Sequence, residues 1–420
     1  MHRVAPSDDA RKADHNLNRI PDGGLRVRIG LVSLHTSPLE TPGRGDAGGM
    51  NVVVRALADE LARGGHRVEV LTRAASARDI DRVEVLESGA SVRFLTAGDP
   101  APMAKEDLPG ITGDFGRMVC ELPRFDVLHS HYWLSGRAAL PAARETGAAH
   151  VLSLHTVAVV KNARLATGDT PEPQLRLDAE RMLSCRSDAV VASTRSERDA
   201  IVAAYGARPS AVEVIPPGVD TGVFRPCAER IGDSPASVLV VGRIQPLKGQ
   251  DVAIRALGLL PRGIRPRLII AGEVSGAGNE RYRAELDRLI DARGLRGDVE
   301  FVGALPRPEL ARLIARSTLV IVPSHSETYG LATLEAAACG VPVVAAAAPG
   351  LVDSVRAGAS GVLVPGRDER VWAAAIERLL RDPSRRAVMA QASLALARAH
   401  TWRATAARLA SLYERVRASN

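Results

Sequence analysis

The chain has 420 residues, enough for two domains of ordinary size. A hydrophobic share of 46% and a charged share of 25% are those of a soluble globular protein, and no apolar run is long enough to span a bilayer. The net charge is +7, but the basic residues are mostly Arg spread through predicted helices and aromatics are only 3%, so the footprint of a nucleic-acid binder is missing.

Met1 to Gly24 is polar, lacks an apolar signal core, and reads as a disordered leader. Arg26 to Leu34 reads as the first strand. Gly49 to Gly65 follows as a helix, with Val53, Leu57 and Leu61 at helical spacing. Further strands are expected at Arg67–Thr72, Phe125–His129, His150–His155 and Ala189–Ser193. Thr194-Arg-Ser-Glu197 predicts a capping box for the helix after the last of these. Pro216-Pro217-Gly218 breaks any element, and a hinge is expected just beyond it. A second alternating series starts at Ser237–Gly242. It continues through Arg267–Gly272, Val299–Gly303, Thr318–Pro323, Val341–Ala347 and Gly361–Val364. Helices from Glu369 onward complete the chain. Alternation on this scale predicts an α/β protein with two parallel sheets, each covered on both faces by helices. The four cysteines, Cys120, Cys185, Cys227 and Cys339, show no metal-ligand or redox spacing, so reduced thiols in a cytoplasmic protein are expected.

Three constellations carry chemistry. Glu327 follows the strand Thr318–Pro323, and Glu335 lies eight residues on, about two turns into a helix predicted from Leu331 to Cys339. Ligands of open parallel sheets bind where strands end and helices begin, and carboxylates there accept hydrogen bonds from hydroxyls. Glu335 is flanked by Leu and Ala, so if buried it needs partners. Arg243 and Lys248, in Gly242-Arg-Ile-Gln-Pro-Leu-Lys-Gly249, stand at a helix start where the dipole favours acids. Their placement suits a diphosphate leaving group, on which negative charge develops as a glycosidic bond breaks. Gly45-Asp-Ala-Gly-Gly-Met-Asn51 lies between the first strand and its helix, where adjacent glycines admit a phosphate or sugar. It is not a G-x-G-x-x-G fingerprint, which disfavours a nicotinamide enzyme. A further cluster comprises His35-Thr-Ser-Pro38, Lys105, His129-Ser-His-Tyr-Trp133, His155-Thr156, Lys161-Asn162 and Gly168-Asp-Thr-Pro-Glu-Pro173 leading to Arg176. Lys105, Lys161 and Arg176 together would suit an anionic acceptor.

Glu327-x7-Glu335, with Gly330-Leu331 inside it and Gly340-Val341-Pro342-Val343 after it, resembles the retaining glycosyltransferases of family 4, which have the GT-B fold. That fold is two Rossmann-like, doubly wound domains facing a central cleft. The resemblance implies an N-terminal acceptor domain over 25–218 and a nucleotide-sugar domain over 219–400. It also implies a last helix, 401–420, that crosses back to the first. With Gly45–Asn51 and the Lys105 to Arg176 cluster, the chain is similar to the branch of this family that opens mycothiol biosynthesis. That branch moves N-acetylglucosamine from UDP-GlcNAc to 1D-myo-inositol 3-phosphate. Carried over by position, Lys105, Tyr132, Thr156 and Arg176 would hold the inositol phosphate, with Asp46, Ala47, Gly48, Gly49, Met50 and Asn51 touching it. Gly49, Arg243, Lys248, Glu327 and Glu335 would hold the donor, Glu327 at the sugar hydroxyls and Glu335 at the ribose. His35, Thr41 and Pro42 would lie beside the nucleotide, and His155 near the reacting face of the sugar. The catalytic set would be Arg243, Lys248, Glu327 and His155.

No cofactor is expected to be essential, and no D-x-D or His/Cys cluster marks a catalytic metal. A bound magnesium ion belongs to the branch, but Ile314-Ala-Arg-Ser317 departs from the segment linked to it. Ala271-Gly-Glu-Val-Ser-Gly276, Thr328-Tyr329 and Ala347-Ala-Pro-Gly350 also depart from the branch. The branch further implies a cytoplasmic homodimer with small-molecule substrates, no nucleic acid and no membrane insertion. Two rivals remain: a sister transferase with another nucleotide sugar and a thiol acceptor, and a nucleotide-sugar-binding regulator without catalysis.

Overall fold

Short apolar runs that alternate with longer helical segments build two separate sheets. The structure is a computed structural model that describes residues 26–166, 170–227, 236–274 and 279–419. The expected leader, Gly168-Asp169 and Ser275-Gly276 lie outside these residues. The first sheet contains β1 (Arg28–Val32), β2 (Arg67–Arg73), β3 (Val83–Val85), β4 (Ser91–Leu95), β5 (Val127–His131), β6 (Ala149–Ser153), β7 (Ala189–Ala192) and β8 (Val212–Val214). Its order is β3-β4-β2-β1-β5-β6-β7-β8, and only the β3–β4 pair is antiparallel. The second contains β9 (Ser237–Val241), β10 (Arg267–Ala271), β11 (Val299–Gly303), β12 (Leu319–Val322), β13 (Val343–Ala346) and β14 (Gly361–Val364), in the order β11-β10-β9-β12-β13-β14. All its pairings are parallel. In each sheet the strand order reverses at one point, between β1 and β5 and between β9 and β12. Loops leaving the carboxyl ends of those strands are where a ligand is admitted.

Two details differ from the sequence reading, for physical reasons. The strand expected at Phe125–His129 runs two residues further, to His131. Three polar residues therefore lie fully buried in a central strand, and partners make this tolerable. His129 Nδ1 lies 2.7 Å from Tyr413 Oη and its Nε2 lies 2.9 Å from Ser153 Oγ, while Ser130 Oγ lies 2.9 Å from His150 Nε2. The strand expected to reach His155 stops at Ser153, because His155 takes φ +61°, a left-handed conformation that ends extended pairing.

The chain crosses between the sheets twice, side by side. Val219 N donates to His400 O at 2.9 Å, and Val219 bridges Thr401. Gly218 is required there, since a Cβ would lie 2.2 Å from Trp402 N. The last helix, Trp402–Ala418, then packs on the first sheet. Its Trp402, Leu409, Leu412 and Tyr413 join one apolar cluster with Val27, Ile29 and Leu31 of the sheet's opening segment.

Candidate active site

The two sheets face a cavity of about 510 Å³ lined from both halves of the chain. His35, Pro42, Asp46, Gly48, Gly49, Met50, Lys105, Tyr132, His155, Thr156 and Arg176 line it from the first half. Arg243, Lys248, Glu327 and Glu335 line it from the second. Thr41, Ala47 and Asn51 do not. Thr41 is exposed outside the cavity and Ala47 is buried. Asn51 is spent on building the loop: its Oδ1 accepts from Gly48 N at 2.9 Å, and its Nδ2 donates to Thr36 Oγ1 and Ser37 O at 2.8 and 2.7 Å. That bracing presents Gly48 and Gly49 to the cavity at the start of the helix Gly49–Arg63.

On the second half, the loops after β9 and β12 are tied to each other. His325 N donates to Leu247 O at 2.9 Å, Gln250 Nε2 to Arg243 O at 2.9 Å, and Arg367 Nη1 to Pro323 O at 2.9 Å. Gly249 sits at φ +69°, and a Cβ would lie 2.3 Å from Pro323 O, so glycine is required for this close approach. The ties bring Lys248 Nζ within 2.6 Å of Glu327 Oε1, which also accepts from Ser324 Oγ at 2.8 Å. Arg243 reaches across the cavity, with Nη1 3.9 Å from Asp46 Oδ1. Burial lowers its pKa, against the pull of Asp46 and Glu327. Glu335 is nearly buried, as its apolar flanks predict, and its partner is Arg307, whose Nη1 lies 2.5 Å from Oε1.

The first half builds the opposite wall around Arg176, which is 2% exposed. All five N–H groups of its guanidinium are engaged. Nε meets Glu180 Oε1 at 2.6 Å, and Nη1 meets Tyr132 Oη and Glu172 Oε2, both at 2.9 Å. Nη2 meets Thr156 O at 2.8 Å and Thr156 Oγ1 at 2.7 Å. Burial disfavours the Arg176 charge, but Glu180, Tyr132 and Glu172 outweigh it and hold its pKa above the ordinary value. Lys161 Nζ also pairs with Glu172, at 2.5 Å. This corrects the expectation of three cations waiting for an anion, because Arg176 and Lys161 already have carboxylates. Lys105 differs. It is exposed, its Nζ lies 4.9 Å from the centre of the Tyr132 ring, and it makes no ion pair among the described residues. The hydroxyls of Tyr132 and Thr156 accept from Arg176, so their own protons are left to donate elsewhere.

Tyr132 and His155 both adopt positive φ, +79° and +61°, a cost that structures keep where the surroundings enforce it. His155 Nε2 lies 2.8 Å from His131 Nδ1, and burial pulls the His155 pKa down to about 4, so the ring is neutral near pH 7. Burial, then the Lys105 charge, also holds His35 well below the ordinary histidine value, and its ring lies 4.7 Å from that of Tyr132. The halves touch directly across the cavity. Thr328 Oγ1 donates to His155 O, Ser196 Oγ donates to Asp353 Oδ2 at 2.7 Å, and Glu273 N donates to Gly43 O at 3.1 Å.

The sequence reading missed Arg307, Glu180 and Arg367. Arg307 was detectable, since Pro306-Arg-Pro308 puts a cation at a helix start, the anomaly that singled out Arg243 and Lys248. Glu180 was detectable as well, since it follows Arg176 by four residues on one helix, the spacing of a helical ion pair. Arg367 carries no local signal, because its partners Pro323 and Asp251 are distant in sequence.

The family described as glycosyl transferases group 1 matches residues 228–395, and the glycosyl transferase 4-like domain matches residues 48–218. The D-inositol 3-phosphate glycosyltransferase of Thermobispora bispora is 42% identical over 404 residues, covering 92% of this chain and 94% of that one. The protein of the same name from Stackebrandtia nassauensis is 44% identical, with 92% and 91% covered. Among solved structures, sucrose-phosphate synthase from Thermosynechococcus elongatus superposes with a TM-score of 0.87 at 27% identity, over 94% of this chain and all of that one. Anabaena HepE in complex with UDP and glucose shares the fold, with a TM-score of 0.74 at 21% identity over 93% of this chain and all of that one. The chain is a GT-B glycosyltransferase and belongs to the family of the D-inositol 3-phosphate glycosyltransferases.

Proposed function

We propose that the enzyme transfers N-acetylglucosamine from UDP-GlcNAc to 1D-myo-inositol 3-phosphate with retention of configuration, the first step of mycothiol biosynthesis. The observation that carries this reading is the pairing of two walls across one cavity. Arg243 and Lys248 stand on one side, and Lys105 with the oriented hydroxyls of Tyr132 and Thr156 stands on the other. The names of the relatives point to the acceptor.

In this reading the donor diphosphate lies against Arg243 and Lys248, which stabilise the charge that develops on it as the glycosidic bond breaks. Glu327 fixes Lys248 and accepts from sugar hydroxyls. The acceptor hydroxyl attacks from the face the leaving group departs, and the departing phosphate oxygen takes its proton. Glu327 is held by Lys248 and Ser324, which suits hydroxyl recognition better than nucleophilic attack. His155, neutral near pH 7, adds no repulsion to the positive charge that builds at the sugar carbon.

A bound magnesium ion is part of what the family resemblance implies. Among the described residues no group of three or more His, Cys, Asp or Glu is placed to hold a metal ion. At the departed segment Ser317 turns inward, its N donating to Ile314 O and its Oγ to Leu313 O. No step is routed through a metal. No helix among the described residues is long and apolar enough to cross a membrane. A homodimer working in the cytoplasm is part of the proposal.

The test is a screen of nucleotide sugars against inositol phosphate, read by mass spectrometry. A product of N-acetylglucosamine mass added to inositol phosphate is expected from UDP-GlcNAc. Transfer of another sugar, or to a small thiol with inositol phosphate ignored, replaces this reading with that of a sister transferase.

A further inference from the structure

Arg307 opens the helix Arg307–Arg316, directly after Pro306. A cation there faces the positive end of the helix dipole, so local energetics disfavour it. Tertiary contacts hold it instead. Its guanidinium covers the Phe224 ring, with the carbon 4.5 Å from the ring centre, and pairs with Glu335 Oε1 at 2.5 Å. The Glu335 side chain is 6% exposed and that of Arg307 27%, and both residues line the cavity. Arg307 takes one carboxylate oxygen, and among the described residues no donor reaches the other. Ala304, Leu305 and Leu310, close to Arg307 in sequence, line the same cavity.

We infer that Arg307 is a positioning residue: it fixes the rotamer of Glu335, which the family resemblance already puts at the ribose, and so sharpens the preference for ribonucleoside over 2′-deoxyribonucleoside diphosphates. The inference rests on the proposed reading of this cavity as a nucleotide-sugar site. An unanchored glutamate must give up rotamer freedom each time it binds a hydroxyl, whereas one held by a guanidinium has already lost it. Arg307 also offsets the carboxylate's charge, which would otherwise repel the diphosphate that Arg243 and Lys248 are placed to receive. The second oxygen is then a fixed acceptor on a side chain that is only 6% exposed. A nucleotide lacking the 2′-hydroxyl would cover that oxygen without giving it a donor, and sites built around a hydroxyl reject analogues without it.

The test is calorimetric binding of UDP and of 2′-deoxy-UDP to the full-length enzyme, its Arg307→Met and Arg307→Lys variants. The wild type should prefer UDP by on the order of 10²-fold, below the strongest hydroxyl discrimination known because the pair is partly exposed. Arg307→Met should bring the two ligands within about threefold and raise the donor KM about tenfold, more than it changes kcat. Arg307→Lys should recover UDP affinity through its charge but not the full preference, since it lacks the planar fork. A purely structural role would weaken both nucleotides alike and leave their ratio intact. An unchanged ratio in folded Arg307→Met overturns the inference. So does equal binding of the two ligands by the wild type, which needs no variant and leaves the nucleotide-sugar reading standing. If the wild type binds none of UDP, ADP and GDP, the reading beneath it fails instead.

Discussion

Lys248 and Glu327 are separated by 79 positions in sequence, yet their ends lie 2.6 Å apart. We expect Lys248→Ala and Glu327→Gln each to cut turnover on the order of 10²-fold or more, as for loss of a preorganised polar contact. UDP release by the folded variants measures this, and near-wild-type turnover in either refutes the assignment. On the opposite wall Lys105 and Arg176 predict different outcomes. Among the described residues Lys105 has no ion pair to lose, so Lys105→Ala should raise the acceptor KM at least about tenfold, as for a charge-assisted contact, with little change in Tm. Arg176→Ala should do both kinds of harm, because it leaves the fully buried Glu180 without its cation, a loss of about 3–5 kcal/mol, while Glu172 keeps Lys161. Acceptor kinetics and thermal melts on the two variants separate these effects. Unphosphorylated inositol should be a poor acceptor, since it offers Lys105 and the two hydroxyl donors no charge. The histidines make a further prediction. His150 is fully buried, and burial lowers its pKa to about 3, while burial takes His155 to about 4. Depressed histidine values mean that the unfolded chain binds more protons than the folded one between about pH 6.5 and 4, so stability is full above that window and falls as pH drops through it. His150 alone should contribute a loss on the order of 2 kcal/mol by pH 5, visible in urea unfolding at pH 7.5 and 5. A flat profile would mean that these rings find compensating partners when charged. Most of the charged residues that line the cavity were named from sequence, Arg307 excepted, but most of their connections were not. Glu172 and Glu180 each stand four residues from Arg176, but nothing local announces that Tyr132 and Thr156 take its remaining donors.

The second sheet was the more legible because its central strands are buried on both faces and read as unbroken apolar runs, as in Leu319–Val322 and Val343–Ala346. The short strands Val83–Val85 and Ser91–Leu95 went unseen, because they close the outer edge of the first sheet and mix charged with apolar residues. The helix Trp133–Thr146 was also hidden, in part by Pro141 within it. The cap at Thr194 was readable, but only half of the expected box forms: Thr194 Oγ1 accepts from Glu197 N at 3.1 Å, whereas Glu197 Oε2 accepts from Ser193 N at 2.6 Å, one residue before the cap. Pro216-Pro217-Gly218 was readable as a break, but not the reason for its glycine. Gly218 passes so close to Trp402 that any side chain must push the two crossing segments apart. Gly218→Ala should therefore lower Tm by several degrees, as for overpacking of about 1–3 kcal/mol, although the position is remote from the cavity. An unchanged melt would show that the crossing yields without cost.

Across the whole molecule, the site exists only while the halves are apposed, since Thr328 meets His155, and Asp46 approaches Arg243, from opposite sides. Opening and closing would admit donor and acceptor in turn, as in enzymes gated by domain motion. Because Arg243 and Lys248 are placed to carry the leaving-group charge, activity should survive EDTA. Complete loss on chelation, restored by magnesium, would assign that charge to a cation instead. Sequence alternation revealed two sheets, but the way the chain closes on itself was legible only through the family resemblance. The last helix completes the apolar cluster that the opening strand begins, Tyr413 reaching His129 and Trp402 covering Gly218. A ribosome releases those helical residues after the strands of both sheets. The second sheet, complete by Val364, has emerged well before them, while the first, begun hundreds of codons earlier, still lacks one of its covers. The half of the protein translated first is thus the half whose folding must finish last. During synthesis its uncovered strands depend on chaperones, or on speed, to stay out of unwanted company.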